Sequence, residues 1–355
     1  MPRTRRPRIA IVAPFFLSIP PRRQGGTEWI VAHQANGLAD RGYPVTLLAV
    51  AGSATRARLI PVIPRGVSDY PLRLDAMEAS RKLRLEMTAL GLAAEHLRQN
   101  RFDLVFNHAR GGELLYPLLR QLGVPMVTVL HLPVFSENAK FLAGQRAPLV
   151  SISNHERRAF PRLNYVATVY NGVDTKTFSF NATPRDYLLM MTTIGEHKNT
   201  LDGIVAAKRA RRRLIIAGKI RDQAYFAAKI KPHVDGRTVR YLGEVGLAEK
   251  IRLYRNASAL LFPVVWEEPF GLVMIESLSC GTPVVGYRSG AVPEVIRHGI
   301  TGFITPQTPA ALAAGIRRLP EIDRAACRRE VERRFSVEKM VDGYERVMNK
   351  MLSRT

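Results

Sequence analysis

From Arg8 to about residue 320 the chain alternates short apolar runs with helical patterns, and it does so in two successive series. "RIAIVAP", "YPVTLLAV", "FDLVFNH", "VPMVTVLH" and "APLVSIS" read as buried strands: each is a short run rich in β-branched residues and closed by polar or turn residues. Helical spacing lies between them. Trp29, Ile30, His33 and Leu38 recur up to Gly42, and Leu83, Met87, Leu90, Ala94 and Leu97 share one face of a helix over 78–99. A further helix is expected near 111–122. Strands that alternate with helices make parallel sheets, because parallel neighbours need a crossover connection.

The series restarts after "VYNGVD". "YLLMMTTIG", "RLIIAG", "TVRYLGEV", "SALLFPVV" and "TPVVGYRSG" read as strands. "NTLDGIVAAKRA", "DQAYFAAKIKPHV", "AEKIRLYRNA" and "FGLVMIESLSCG" read as helices. Turn punctuation at Asn171-Gly172 and Pro184 marks the break. The expected fold class is α/β, with one doubly wound Rossmann-like domain over 1–175, a second over 176–330, and an amphipathic helical segment over 331–355. A length of 355 residues fits two domains.

Two cysteines, Cys280 and Cys327, exclude a disulfide framework and a zinc cluster and fit a reducing cytoplasm. The basic N-terminus leads into an apolar run that is short and broken by Pro14, which reads as a first strand rather than a signal peptide. No stretch approaches the roughly 20 apolar residues of a membrane span. The net charge of +23 suits nucleic acid, an anionic membrane surface or acidic substrates. It is spread over Arg3, Arg5, Arg6, Arg8, Arg22 and Arg23, over Lys208–Arg213, and over the stretch from Arg317, all of which read as solvated faces. No nucleic-acid motif accompanies them.

Ligands of doubly wound sheets bind where strands end and helices begin. Gly25-Gly26, with Thr27 as candidate N-cap, suits either an anion at a helix start or a plain flexible loop. His131, at the end of "TVLH", suits either a sugar hydroxyl or a structural bond to a carbonyl. Lys198 in "GEHKN" opens a helix, where its charge adds to the helix dipole, and Lys219 repeats the arrangement one strand later. The fourth turn is "WEEPFGLVMIES". Pro269 fits a first helical turn, with the amides of Phe270, Gly271 and Leu272 free for a phosphate. Glu268 stands beside them. Glu276, two turns on, sits among Leu272, Val273, Met274, Ile275 and Leu278. A carboxylate there is costly unless the helix has a wet face or something pairs with it.

Glu268-Pro-Phe-Gly-Leu-Val-Met-Ile-Glu276 followed by "CGTPVVGYRSGAVPEVIRHGITGFI" resembles the E-x7-E block of the retaining glycosyltransferases of family 4, which have the GT-B fold. "GGTE", "VLH", "SISN", "VYNGVD" and "EHKN" occur in the family's order, so the resemblance spans about residues 8–350. It implies two domains facing across a cleft, the C-terminal helix crossing back to the first. It also implies hexose transfer from a nucleoside diphosphate sugar, UDP-linked or GDP-mannose, with no cofactor. Glu268 would lie against the sugar hydroxyls, Glu276 would hold the ribose, and Lys198 would face the diphosphate. Phe270, Gly271, Leu272 and Gly25-Gly26 would meet phosphate or sugar, and His131 would contact the sugar near the reacting carbon. The family's usual Arg, five residues before the lysine, is Thr193 here, and Lys219 is the candidate substitute.

No Asp-x-Asp pair occurs, so no bridging metal is expected. The expected partners are the sugar nucleotide, an acceptor that is lipid-linked or a small metabolite, and an anionic membrane on its cytoplasmic face, but not nucleic acid. A silent sugar-nucleotide binding protein and another GT-B enzyme, such as an epimerase, are the competing expectations.

Overall fold

A computed structural model of the chain describes residues 5–22, 25–71 and 77–353; Arg3 and Arg23 of the N-terminal basic cluster lie outside these. The chain forms two compact units. The first holds the residues through Ile152, Arg157–Tyr170, and those from Val337 onward; the second holds Ser153–Glu156 and Asn171–Ser336.

In the first unit the strands are β1 (Ile9–Val12), β2 (Val45–Val50), β3 (Arg58–Ile63), β4 (Leu104–Asn107), β5 (Met126–Val129), β6 (Leu149–Ser151) and β7 (Tyr165–Thr168). The helices are α1 (Gly26–Asp40), α2 (Glu78–Gln99), α3 (Tyr116–Gln121) and α4 (Ser136–Gly144). The strands form one parallel sheet in the order β3-β2-β1-β4-β5-β6-β7. Its order reverses between β1 and β4, where Ile9 pairs with Val45 on one side and Leu104 on the other. Every residue of β1 is buried, as a strand covered on both faces must be.

The sequence reading passes over β3 and β7. Both are edge strands whose partly exposed residues, with Arg58 and Pro61 in β3, break the apolar run. The helix expected near 111–122 is a 3-10 turn (Gly112–Leu115) running into α3. α2 spans 78–99 as predicted, but only its C-terminal half, with Ala89, Leu90, Ala93 and Leu97, enters the core. Leu83 and Met87, on the same predicted stripe, are exposed.

In the second unit the strands are β8 (Leu188–Met191), β9 (Leu214–Ala217), β10 (Val239–Tyr241), β11 (Ala259–Phe262), β12 (Val284–Tyr287) and β13 (Gly302–Thr305). The helices are α5 (Thr200–Arg209), α6 (Gln223–Tyr225), α7 (Leu247–Asn256), α8 (Leu272–Ser279), α9 (Val292–Val295), α10 (Pro309–Arg317) and α11 (Arg324–Arg334). The sheet is again parallel, in the order β10-β9-β8-β11-β12-β13, and reverses between β8 and β11. The helix predicted over "DQAYFAAKIKPHV" is α6 followed by a π turn (Phe226–Ile230) and a 3-10 turn (Lys231–His233); Pro232 removes an amide that a regular helix needs.

The last helix, α12 (Val337–Leu352), groups with the first unit, so the chain leaves the second unit at Ser336. α12 packs on α1. Arg41 pairs with Asp342 at 2.6 Å and Glu345 at 2.5 Å, the Tyr43 hydroxyl donates to Glu345, and Lys350 donates to the Val166 carbonyl at 2.7 Å. Tyr344 and Val347 point inward, and Tyr344 meets Phe106 of β4 edge-on at 5.6 Å.

Candidate active site

In the second unit the loops leaving β8 and β11, the two strands at the reversal, meet through their side chains. After β8 a 3-10 turn (Glu196–Lys198) ends on Asn199, whose left-handed backbone turns the chain into α5. This sets Lys198 at the mouth of the sheet. The loop after β11 carries Trp266, Glu267 and Glu268. The Lys198 ammonium donates to Oε2 of Glu268 at 2.5 Å, and Trp266 Nε1 donates to the same oxygen at 2.9 Å. The ammonium also lies 4.9 Å from the Trp266 ring centroid, a cation–π contact. Both charged side chains are mostly buried. Oε1 of Glu268 makes no hydrogen bond among the described residues, so one acceptor oxygen stays open.

The backbone of Glu268 is fixed as firmly as its side chain. Ala291 N–H donates to its carbonyl at 2.9 Å. Gly290, at φ 47°, passes so close that a Cβ there would stand 2.3 Å from that carbonyl, so only glycine fits. Next door, Oε2 of Glu267 accepts the Gly290 N–H at 2.9 Å and lies 2.7 Å from His155 Nε2. Glu267 is therefore a strut of the loop, and Glu268 is the carboxylate paired with Lys198.

Two expectations for the following helix need correction. α8 begins at Leu272, with Gly271 in the left-handed region before it, so Pro269 lies outside the first helical turn. Phe270 is 2% exposed and meets Phe335 edge-on, so its ring is core. Of the three residues proposed to offer amides, Leu272 alone is within the helix.

Glu276 has partners that the sequence did not name. Its Oε1 accepts from Lys250 Nζ at 2.6 Å and its Oε2 from the Tyr254 hydroxyl at 2.9 Å, both on α7. The apolar run is thus tolerated because a cation and a phenol satisfy the carboxylate. Burial first, then the adjacent Glu276 charge, push the Tyr254 hydroxyl well above its ordinary pKa, so it stays a donor.

Lys219 is exposed, and its carbonyl accepts the Ile194 N–H at 2.9 Å, tying the loops after β8 and β9 together. Gly218, at φ 144°, permits that approach: a Cβ there would lie 1.9 Å from the Thr192 carbonyl oxygen. A second cation here escaped the sequence reading. The backbone N–H of Arg221 donates to the Ile194 carbonyl at 3.0 Å. Its charge is felt by His197, whose pKa is lowered by burial, then Lys198, then Arg221. His197 in turn meets Trp266 edge-on at 6.0 Å. Among the described residues no three His, Cys, Asp or Glu side chains are grouped to hold a metal ion.

In the first unit Gly25, not Thr27, is the N-cap of α1, because the helix already starts at Gly26. The carboxyl group of the buried Glu28 lies against Gly25, and burial raises its pKa. His131 follows β5 and is half-buried; its Nε2 lies 2.9 Å from Nδ1 of His108, which follows β4. The two rings meet edge to edge through this contact, with centroids 5.1 Å apart. Burial lowers the His131 pKa to about 4 and puts His108 well below the usual value, so both are neutral near pH 7.

A family model described as Glycosyltransferase Family 4 matches residues 24–177, and one described as Glycosyl transferases group 1 matches residues 174–334. A glycogen synthase of Mycobacterium tuberculosis is 27% identical, the match covering 87% of this chain and 86% of that protein. The crystal structure of AviGT4, a glycosyltransferase involved in avilamycin A biosynthesis, superposes with a TM-score of 0.76 at 21% identity, covering 98% of this chain and 99% of that one. The Anabaena protein HepE, crystallised with UDP and glucose, superposes with a TM-score of 0.72 at 16% identity, covering 97% and 100%.

Proposed function

This chain belongs to the family 4 glycosyltransferases and has their GT-B fold, and from that premise we propose that it moves a hexose from a nucleoside diphosphate sugar to an acceptor hydroxyl with retention at the anomeric carbon. The observation that carries the reading is the Lys198–Glu268 pair at the strand-order reversal of the second sheet. A cation there faces the leaving diphosphate, and the open oxygen of Glu268 accepts from a sugar hydroxyl.

The bond from the anomeric carbon to the diphosphate oxygen breaks. The acceptor oxygen attacks the same face, and its proton passes to the departing phosphate. Charge grows on the leaving group as that bond lengthens, so Lys198 and the first amides of α8 stabilise the transition state more than the ground state. Glu276 holds the ribose with the lone pairs that Lys250 and Tyr254 leave open. No metal takes part in this scheme.

The donor is a UDP-sugar or GDP-mannose, the former supported by the fold neighbour crystallised with UDP and glucose. The acceptor is lipid-linked or a small metabolite, met in the cytoplasm or on the inner membrane face; among the described residues no helix is long and apolar enough to cross a membrane. The test is a screen of UDP- and GDP-sugars for nucleotide release with and without acceptors, with the product's anomeric configuration read by NMR and EDTA in a parallel arm. Release that needs no EDTA-sensitive metal and gives a retained product supports the scheme; an inverted product, or strict dependence on a divalent ion, overturns it.

A further inference from the structure

Within the second unit, the turn that carries Lys198 is tied to the sheet by three side chains that take no part in the transfer scheme. Asn199, the next residue, has left-handed backbone at φ 49°, a conformation that a residue with a Cβ keeps only where its surroundings hold it. An asparagine at a helix start ordinarily accepts an amide N–H of the first turn. Asn199 makes no such cap, and the Leu201 N–H goes instead to the Tyr225 hydroxyl at 3.2 Å. The Asn199 side chain acts as a donor: its Nδ2 bonds to Oδ2 of Asp202, in the first turn of α5, at 2.7 Å.

The same oxygen of Asp202 accepts the Tyr287 hydroxyl at 2.7 Å. Tyr287 is the last residue of β12 and is fully buried, so the sheet fixes its place. Burial first, then the bond to Asp202 and its charge, hold the hydroxyl above its ordinary pKa, so it stays a donor near neutral pH. A chain of hydrogen bonds thus runs from β12 through Asp202 to the residue that follows Lys198. The N–H groups of Lys198 and Asn199 donate to the Gly195 and Glu196 carbonyls at 3.0 and 2.8 Å, which closes the 3-10 turn. A rotation of Asn199 out of the left-handed region would carry Lys198 with it and strain the 2.5 Å bond to Glu268.

We propose that Tyr287 and Asp202 are positioning residues, which through Asn199 hold the turn that aims the Lys198 ammonium. Neither side chain touches the substrate; both act through the lysine. The effect on turnover rests on the reading that Lys198 meets the leaving diphosphate, whereas the effect on the lysine itself does not.

Tyr287→Phe removes only the hydroxyl. It is expected to lower kcat by about tenfold, less than the roughly 10²-fold that a misplacement of about 1 Å can cost. KM for the donor should change little, because Lys198 acts on charge that develops in the transition state. Asp202→Ala should lose at least as much, and Asp202→Asn, which keeps an oxygen for both donors, should recover most of it. Asn199→Gly permits the left-handed backbone but cuts the link, and should behave as Tyr287→Phe does; thermal melts confirm that each variant is folded. The decisive comparison is a double-mutant cycle: in a Lys198→Ala background Tyr287→Phe should cost nothing further in kcat, since the group it positions is gone. Independent, multiplying losses overturn the proposal, as does an unchanged kcat in Tyr287→Phe. Spectra of the 15N-labelled Lys198 amine in the free protein read the same effect without turnover, and should move toward those of a solvated lysine in Tyr287→Phe and Asp202→Ala. If Lys198→Ala keeps full kcat, the lysine has no part in the transfer and that reading fails, while the amine spectra still decide the positioning: an unchanged signal refutes it.

Discussion

Lys198 and Glu268, 70 residues apart in sequence, share a hydrogen bond of 2.5 Å because the strands that precede them, β8 and β11, are neighbours in the sheet. Doubly wound topology brings about that meeting: the two loops flank the reversal of strand order, and their helices diverge from it. Trp266 adds a second donor to the same carboxylate oxygen and a ring face to the same ammonium, so neither side chain is free to wander.

Lys198→Ala is expected to lower kcat by on the order of 10²–10³, the cost of removing one group that stabilises a developing negative charge. Glu268→Gln keeps the shape and should leave nucleotide affinity near normal while transfer nearly vanishes. Steady-state kinetics at saturating donor, with nucleotide affinity by calorimetry, separate the two. A Lys198→Ala enzyme with raised KM and unchanged kcat would make the lysine a ground-state binding group.

Thr193 stands where the family resemblance implies an arginine, and Lys219 and Arg221 are the two candidate replacements. Lys219 and Arg221 are both exposed, but only Arg221 is felt by His197, which meets Trp266 edge-on. Arg221→Ala should therefore reduce kcat/KM more than Lys219→Ala, whose charge His197 does not register, with both losses within about tenfold because exposed charges contribute little. Equal losses, or the reverse order, would return the role to Lys219.

The alternation of strand and helix was legible because a strand buried on both faces is apolar along its length, as β1, β8 and β11 are. The edge strands β3 and β7 were not, since half-exposed strands need no such run. Lys198 and Glu268 could be named from turn chemistry and resemblance, but their pairing is a property of sheet order. Lys250 and Tyr254 were invisible for the same reason: α7 reads as an ordinary polar helix until it lies beside Glu276. His108 ended a predicted strand and carried no signal of its own before β5 placed His131 against it.

Glu276 predicts a stability effect as well as a binding effect. Lys250→Met leaves a largely buried carboxylate with one donor, and it should destabilise the fold by about 1–3 kcal/mol, the range for stranding a buried polar group. Tyr254→Phe should cost about 1.5–3 kcal/mol, the range for one hydrogen bond to a charged group. Urea melts read both. A Lys250→Met protein as stable as the parent would mean that solvent, not α7, satisfies Glu276.

The basic surface predicts salt-sensitive adhesion to anionic vesicles. Each Lys or Arg near such a surface contributes about 1 kcal/mol, and salt screens it. Sedimentation with anionic but not neutral vesicles, reversed by salt, is the expected outcome; equal partitioning to both, or to neither, favours a soluble acceptor.

His131 gives the fold a pH dependence whose sign follows from its environment. Burial lowers its pKa from 6.5 to about 4, so the folded chain resists a proton that the unfolded chain accepts. Between these values the unfolded state binds more protons, and stability falls as pH falls. The loss begins near pH 6.5 and is complete below about 4, amounting to at most roughly 3 kcal/mol for this one group. His108, also lowered by burial, works in the same direction. Glu28 works in the opposite one: burial raises its carboxyl pKa, so the folded state takes up its proton first and gains relative stability as pH drops. The whole-protein curve mixes these contributions, and the comparison that isolates His131 is the difference between the parent and His131→Asn. Chemical denaturation at intervals from pH 7 to pH 4 should show the parent losing stability faster than the variant below pH 6.5. Parallel curves would mean that the His131 ring is solvated well enough to titrate normally.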